Sequence, residues 1–254
     1  MYFHWHNAPE VLASPNTRLG DFAMITRNKT LRHFTAAALT GLCLAGSANA
    51  DDWAGPFASI GLGSSHSRLD WTAGGVPIFA PTGYEDHGTA DSLAISGEVG
   101  QMYRRGDFLL GWSVGLTSLD HEERKASPFS PGETLATEIG PMASLAGRVG
   151  KDYGNWLFYG EAGVAIAKLS VPNEAPYCPT PCRVSLDGMS TGFLTGIGAD
   201  YRITDRYAVG INYRYVDFQA RTASGEISGL GAPQEYEIGA DASVITLRLT
   251  IALD

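Results

Sequence analysis

Several things are scarce in this chain of 254 residues, and each scarcity excludes something. Cysteine occurs three times, which leaves room for at most one intrachain disulfide. Charged residues make up only 18% of the sequence, whereas disordered chains combine high charge with low hydrophobicity. Basic residues are outnumbered, 18 Lys and Arg against 27 Asp and Glu for a net charge of −9, so the clustered basic footprint of a nucleic-acid binder is missing. Beyond residue 50 no apolar run reaches the roughly 18 residues that a membrane-crossing helix requires. Glycine is abundant instead, at 31 residues. Without a G-X-Y period this is not collagen, but it suits strands that approach one another closely.

The first fifty residues read as an address. Met24 to Ala50 opens on Arg27, Lys29 and Arg32, continues through an apolar stretch from Phe34 to Ala45, and closes on Ala48-Asn49-Ala50. That order of charged, apolar and A-x-A segments predicts a secretory signal peptide over 24–50, cut after Ala50. Residues 1–23 fit neither a signal nor a core and are expected to be an upstream extension of the reading frame. The exported part, 51–254, keeps 14 basic and 25 acidic residues, a net charge of −11.

From Trp53 onward, apolar residues alternate with small or polar ones in stretches of about ten, the period of strands with two unlike faces. Eight strands are predicted, over about 54–64, 92–104, 107–118, 136–151, 155–169, 189–203, 206–219 and 242–253. Three connections are short and carry turn chemistry: Arg104-Arg105-Gly106-Asp107, Lys151-Asp152-Tyr153-Gly154-Asn155 and Thr204-Asp205-Arg206. Four are long and polar, about 65–91, 119–135, 170–188 and 220–241. Long and short connections strictly alternate. A soluble sandwich has no reason to sort its loops this way, whereas a transmembrane barrel has short periplasmic turns and long outer loops.

The two faces agree with that architecture. Tyr207, Val209, Ile211, Tyr213 and Tyr215 share one face, with Ala208, Gly210, Asn212 and Arg214 opposite. Ile245, Leu247, Leu249, Ile251 and Leu253 likewise oppose Thr246, Arg248 and Thr250. Apolar-out with polar-in is the membrane arrangement. Aromatic residues near strand ends, namely Trp53, Phe57, Trp156, Phe158, Tyr201, Tyr207 and Phe218, are expected at the interface girdles. The same phasing sends Glu98, Glu161 and Asp200 into the lumen with Arg148, Arg202, Arg214 and Arg248. Charges in a narrow, partly dry lumen must pair, and the planar guanidinium can hold two carboxylate oxygens. A structural plug is expected, because eight strands leave an interior just wide enough for side chains.

The second half of the chain resembles a known family. Ala146-Gly147-Arg148-Val149-Gly150 followed by Asn155-Trp156-Leu157-Phe158-Tyr159-Gly160-Glu161-Ala162-Gly163-Val164-Ala165 looks like the paired fourth and fifth strands of the small outer-membrane porin-family proteins. These are the eight-stranded, OmpA- and opacity-like surface antigens of Gram-negative bacteria. Gly196 to Tyr207 is similar to their sixth strand and turn, and Tyr213-Arg214-Tyr215-Val216-Asp217-Phe218 to their seventh. Asp52-Trp53-Ala54-Gly55-Pro56-Phe57 resembles their opening, with Pro56 a departure. The resemblance is clearest over about 140–220. It implies the bacterial outer membrane as location, membrane lipids and lipopolysaccharide as surroundings, the barrel-assembly machinery as a partner, and loops able to meet an extracellular ligand. Such barrels usually end in an aromatic residue; here the end is Ile251-Ala252-Leu253-Asp254.

Three remaining groups invite chemistry. Cys178 and Cys182, in Cys-Pro-Thr-Pro-Cys, are the two cysteines left after export, and a disulfide is expected. A metal site is the rival, but two thiols without a nearby His make a poor ligand set. His66, His87 and His121 lie beside acids in the first two outer connections; some members of the resembled family bind haem, so the resemblance implies haem binding as the functional alternative to solvated residues. Ser118, Asp120 and His121 are close in sequence, yet neighbours on a strand point to opposite faces, so no catalytic triad is indicated. The expectation is an all-β, eight-stranded antiparallel transmembrane barrel, non-enzymatic, with no cofactor. Its role would be to support the envelope and present loops, with at most a narrow pore. A surface adhesin or haem receptor is the alternative, and a lipid A-modifying enzyme a weaker one.

Overall fold

The computed structural model describes residues 53–75, 82–119, 121–126, 134–175, 182–227 and 232–253. The expected extension 1–23 and the signal peptide with Ala48 and Ala50 lie outside them. The described residues contain nine strands: β1 (Gly55–Gly75), β2 (Glu85–Arg105), β3 (Phe108–Ser118), β4 (His121–Ala126), β5 (Thr134–Tyr153), β6 (Trp156–Ala175), β7 (Cys182–Arg202), β8 (Tyr207–Ile227) and β9 (Ala232–Ala252). Every pairing is antiparallel. β1 pairs with β9 from Phe57↔Ala252 to Gly75↔Gln234, joining the first strand to the last. β3 and β4 both pair with β5, one after the other. They form a single stave in two pieces, so the ring of eight staves closes through the β3–β5 ladder, while among the described residues no ladder joins β4 to the upper part of β2.

The break in that stave has a local cause. β5 carries Gly140-Pro141, and its register against β6 shifts between Ile139 and Met142. On its other side β3 ends at the pair Thr117↔Met142 and β4 resumes at His121↔Ile139. Proline has no N–H to give to a ladder and is confined in sheets to edges and bulges.

Two of the short turns are tighter than the sequence suggested. Arg105↔Phe108 and Tyr153↔Trp156 are pairs closing two-residue hairpins. In each the first turn residue, Gly106 or Gly154, has φ of 62°, a left-handed value that glycine adopts without steric cost. The third turn is held by the Thr204 hydroxyl, which accepts from the backbone N–H groups of Arg206 (3.3 Å) and Tyr207 (3.0 Å).

The long connections differ most from expectation. Much of 65–91, 170–188 and 220–241 is strand: β1 and β2 pair as far as Thr72↔Glu85, β6 and β7 as far as Ala175↔Cys182, and β8 and β9 as far as Ile227↔Ala232. The ladder continues there while the pattern that marks it in sequence reverses. On β9 the outward row runs Ile251, Leu249, Leu247 and Ile245, then Ser243, Asp241, Gly239 and Glu237. The inward row runs Thr250, Arg248 and Thr246, then Val244, Ala242, Ala240, Ile238 and Tyr236. β1 behaves alike, with Ile60 and Leu62 outward before His66 and Arg68, and Ser65 and Ser67 inward before Leu69 and Trp71. A wall that passes from lipid into water must exchange the polarity of both faces while keeping its two-residue period.

The barrel therefore has two storeys. The lower one has an apolar outside, with Leu247 70% exposed and Ile197 66% exposed. On β2 this band runs from Leu93 to Tyr103, matching the roughly 9–11 residues a tilted strand needs to cross a bilayer. The upper storey is built like a water-soluble barrel. Its interior holds Leu69, Trp71, Leu119, Ile139, Met142, Leu169, Leu194, Val216, Phe218 and Ile238, all buried. Phe57 and Phe218, expected in the aromatic girdle, point inward and are buried instead. Trp156, Phe158 and Tyr201 do form an outward cluster, Trp156 lying 5.8 Å from Phe158 and 4.9 Å from Tyr201 between ring centroids.

Candidate functional site

The inward row of the lower storey carries charge. Glu98 (β2), Arg148 (β5), Glu161 (β6), Asp200 (β7), Arg214 (β8) and Arg248 (β9) are each no more than 7% exposed. They meet at one level because the antiparallel register places Arg148 opposite Glu161, and Gly210 between Asp200 and Arg248. Three carboxylates face three guanidinium groups.

Glu161 is the hub. Its Oε2 accepts from Arg148 Nε (3.0 Å) and from Arg214 (3.2 Å). Its Oε1 accepts from Arg214 Nε (2.6 Å) and Asn212 Nδ2 (3.1 Å). Glu98 bridges the other side, pairing with Arg148 at 2.6 Å, with Arg248 at 3.4 Å and with Arg214. Arg248 also donates to the Tyr159 hydroxyl at 2.6 Å. The Arg148 guanidinium lies 5.2 Å from the Phe57 ring centroid and 4.7 Å from that of Tyr159, two cation–π contacts. Asp200 is held most weakly. Its Oδ1 lies 3.6 Å from Arg248 Nε and has no hydrogen-bond partner.

Glycine makes room for these side chains. A Cβ on Gly198 would run into the Tyr159 ring, and one on Gly196 would come within 2.8 Å of a Glu161 carboxylate oxygen. Gly198→Val is therefore expected to displace Tyr159 and lower the temperature at which the barrel unfolds in detergent. Unchanged heat-modifiable gel migration of that variant would contradict the packing described.

Arg202 does not join the network. It stands at the short-turn end, its guanidinium 4.4 Å over the Trp53 ring. Trp53 in turn packs on a buried cluster of Phe57, Met102, Leu109, Leu157 and Tyr159. This apolar layer lies below the charges, and the upper-storey core lies above them. A cavity of about 60 Å³ opens between Trp53, Arg202 and the plug. Tyr159 and Asn212 join the plug beside the charged residues that the phasing assigns to it: each precedes a plug residue, Glu161 or Arg214, by two positions and so shares its face.

The other candidates are dispersed. His66 pairs with Asp91 at 2.8 Å and His87 with Asp70 at 2.5 Å, on the outer face above the apolar band. Against the desolvation of its site, hydrogen bonds from His87 and Arg68 hold the Asp70 carboxyl below its ordinary value of 3.8. Both described histidines thus already have a carboxylate partner. The side chains of Asp120 and His121 are outside the described residues, as is Cys178; Cys182 opens β7 opposite Ala175. Among the described residues no group of three or more His, Cys, Asp or Glu is arranged to hold a metal ion.

Comparisons with known proteins agree with this architecture. The 22 kDa outer membrane protein of Rhizobium leguminosarum bv. viciae is 31% identical over 89 residues, covering 34% of this chain and 37% of that protein. The crystal structure of the outer membrane protein OprG from Pseudomonas aeruginosa is similar with a TM-score of 0.54 and 13% identity, over 79% of this chain and 98% of that one. The sequence model of the family described as outer membrane protein beta-barrel domain matches residues 34–247. This chain belongs to that family, and its place is the bacterial outer membrane.

Proposed function

We propose that this protein is a closed, non-catalytic barrel that supports the outer membrane and presents a polar collar above it. The observation that carries the reading is the filled interior: six charged side chains, each no more than 7% exposed, lie between two apolar layers. Such a lumen has no path for solutes without breaking buried ion pairs. The charged outward residues of the upper storey, Arg68, Asp70, Asp91, Lys168, Asp187, Asp217 and Asp241, support the reading of this collar as the surface that meets lipopolysaccharide and any extracellular ligand. The barrel-assembly machinery is its partner during insertion. In planar bilayers the purified protein is expected to show no steady single-channel conductance, and incubation with lipid A to leave the lipid unchanged. A reproducible open level, or turnover of lipid A, would overturn the reading.

The same proposal takes Cys178–Cys182 as a clamp on the β6–β7 connection. Its ring is short, so its stabilisation is small. Reduction should leave the heat-modifiable gel shift intact and speed only proteolysis between β6 and β7. A lost shift would contradict this.

A further inference from the structure

We infer that the lipid-facing wall holds one anionic phospholipid of the periplasmic leaflet, with an acyl chain in a groove across β5–β9 and the phosphate on Lys151. The groove, of about 610 Å³, arises from two neighbouring cross-strand rows. One is Lys151–Phe158–Ala199–Ile211 and the next Val149–Gly160–Ile197–Tyr213–Ile245. Ala199 and Gly160 make the floor, and the exposed Phe158, Ile197, Ile211 and Tyr213 make the walls.

Charge selects the occupant. Lys151 sits at the end of the groove nearest the short turn Gly154-Asn155, which is the periplasmic end of such a barrel. Its Nζ lies 5.6 Å from the ring centroids of both Phe108 and Tyr153. Among the described residues it has no carboxylate partner, the adjacent Asp152 being engaged with Arg104 at 2.9 Å. A cation at the edge of the apolar band, held beside two aromatic faces and without a carboxylate among the described residues, can be met by a lipid phosphate at the headgroup level. A long side chain can also slide its charge to the headgroup level while its stem stays in the apolar groove. A second copy of the chain would suit the groove less well, because a two-fold contact there presents the same patch twice and brings like lysines together.

Native mass spectrometry of the detergent-purified barrel, equilibrated with equal amounts of phosphatidylglycerol and phosphatidylethanolamine of matched chains, tests the assignment. The wild type should retain one phosphatidylglycerol in preference. Lys151→Gln should still retain lipid but lose about fivefold of the headgroup preference, the effect of one basic residue near an anionic surface. Gly160→Phe should retain almost none. A Cβ at Gly160 meets nothing closer than the Gly196 carbonyl at 3.9 Å, so this variant fills the groove without disturbing the ladder, and its heat-modifiable shift reports that it is folded. Equal retention of the two lipids by the wild type, unchanged retention by folded Gly160→Phe, or a dimer mass in place of bound lipid would each overturn the inference.

Discussion

Replacing Glu161 with Gln is expected to cost about 3–5 kcal/mol, the range for breaking a buried ion pair from one side. The side chain is isosteric, so the loss is electrostatic and not a cavity effect. Glu161 is fully buried and answers Arg148 and Arg214 together. The amide would leave Arg148 and Arg214 to share Glu98 as their remaining carboxylate partner and turn a donor toward them. Asp200→Asn should cost far less, about 1 kcal/mol, because the carboxylate makes only a long pair with Arg248. Exchanging Glu161 and Arg214 together for Gln and Met should recover part of the single-variant loss, since removing both partners spares the uncompensated charge. Equilibrium unfolding in urea, with the barrel in micelles, compares the three. Equal midpoints for Glu161→Gln and Asp200→Asn would contradict a plug centred on Glu161.

The second large effect lies above the membrane. Ile238→Ala is expected to cost about 2–5 kcal/mol, as for other large-to-small changes in a packed interior, because Ile238 is fully buried in the upper core. Leu247→Ala on the same strand should cost only about 0.5 kcal/mol, the transfer preference of an aliphatic side chain for lipid, since Leu247 touches no core and is 70% exposed. The ordering is the reverse of what a barrel stabilised only within the membrane would show. Unfolding midpoints of the two variants in liposomes decide it, and a larger loss for Leu247→Ala would remove the upper core from the account.

The lower storey was legible because lipid outside and a narrow lumen inside impose opposite demands on alternate residues, and β8 and β9 display them without exception from Tyr207 to Tyr215 and from Ile245 to Ile251. The plug followed from the same parity: Glu98, Arg148, Glu161, Asp200, Arg214 and Arg248 come together as phased. Arg202 shares the parity but lies too near the mouth, where Trp53 gives its guanidinium an aromatic face. The upper storey resembles loops in sequence because a polar outward residue after a polar inward one, as at Ser64 to Arg68, matches a turn-rich segment. The pairing partners on β2 and β9 show that the strand continues. Tyr159 gives no such signal because an aromatic residue on the inner face indicates packing, and its hydroxyl contact is with Arg248, 89 positions away in sequence.

The reversal of polarity along one continuous strand is the feature from which the closed lumen and the polar collar both follow. Single-cysteine labelling along β9, in a background without Cys43, Cys178 and Cys182, measures it directly. With a water-soluble maleimide on intact vesicles, residues 237 and 241 should react, residues 245, 247 and 249 should react only with a lipid-soluble reagent, and residues 238 and 244 should react with neither. Labelling of 247 by the water-soluble reagent, or of 238 and 244 by either reagent, would contradict the two-storey barrel.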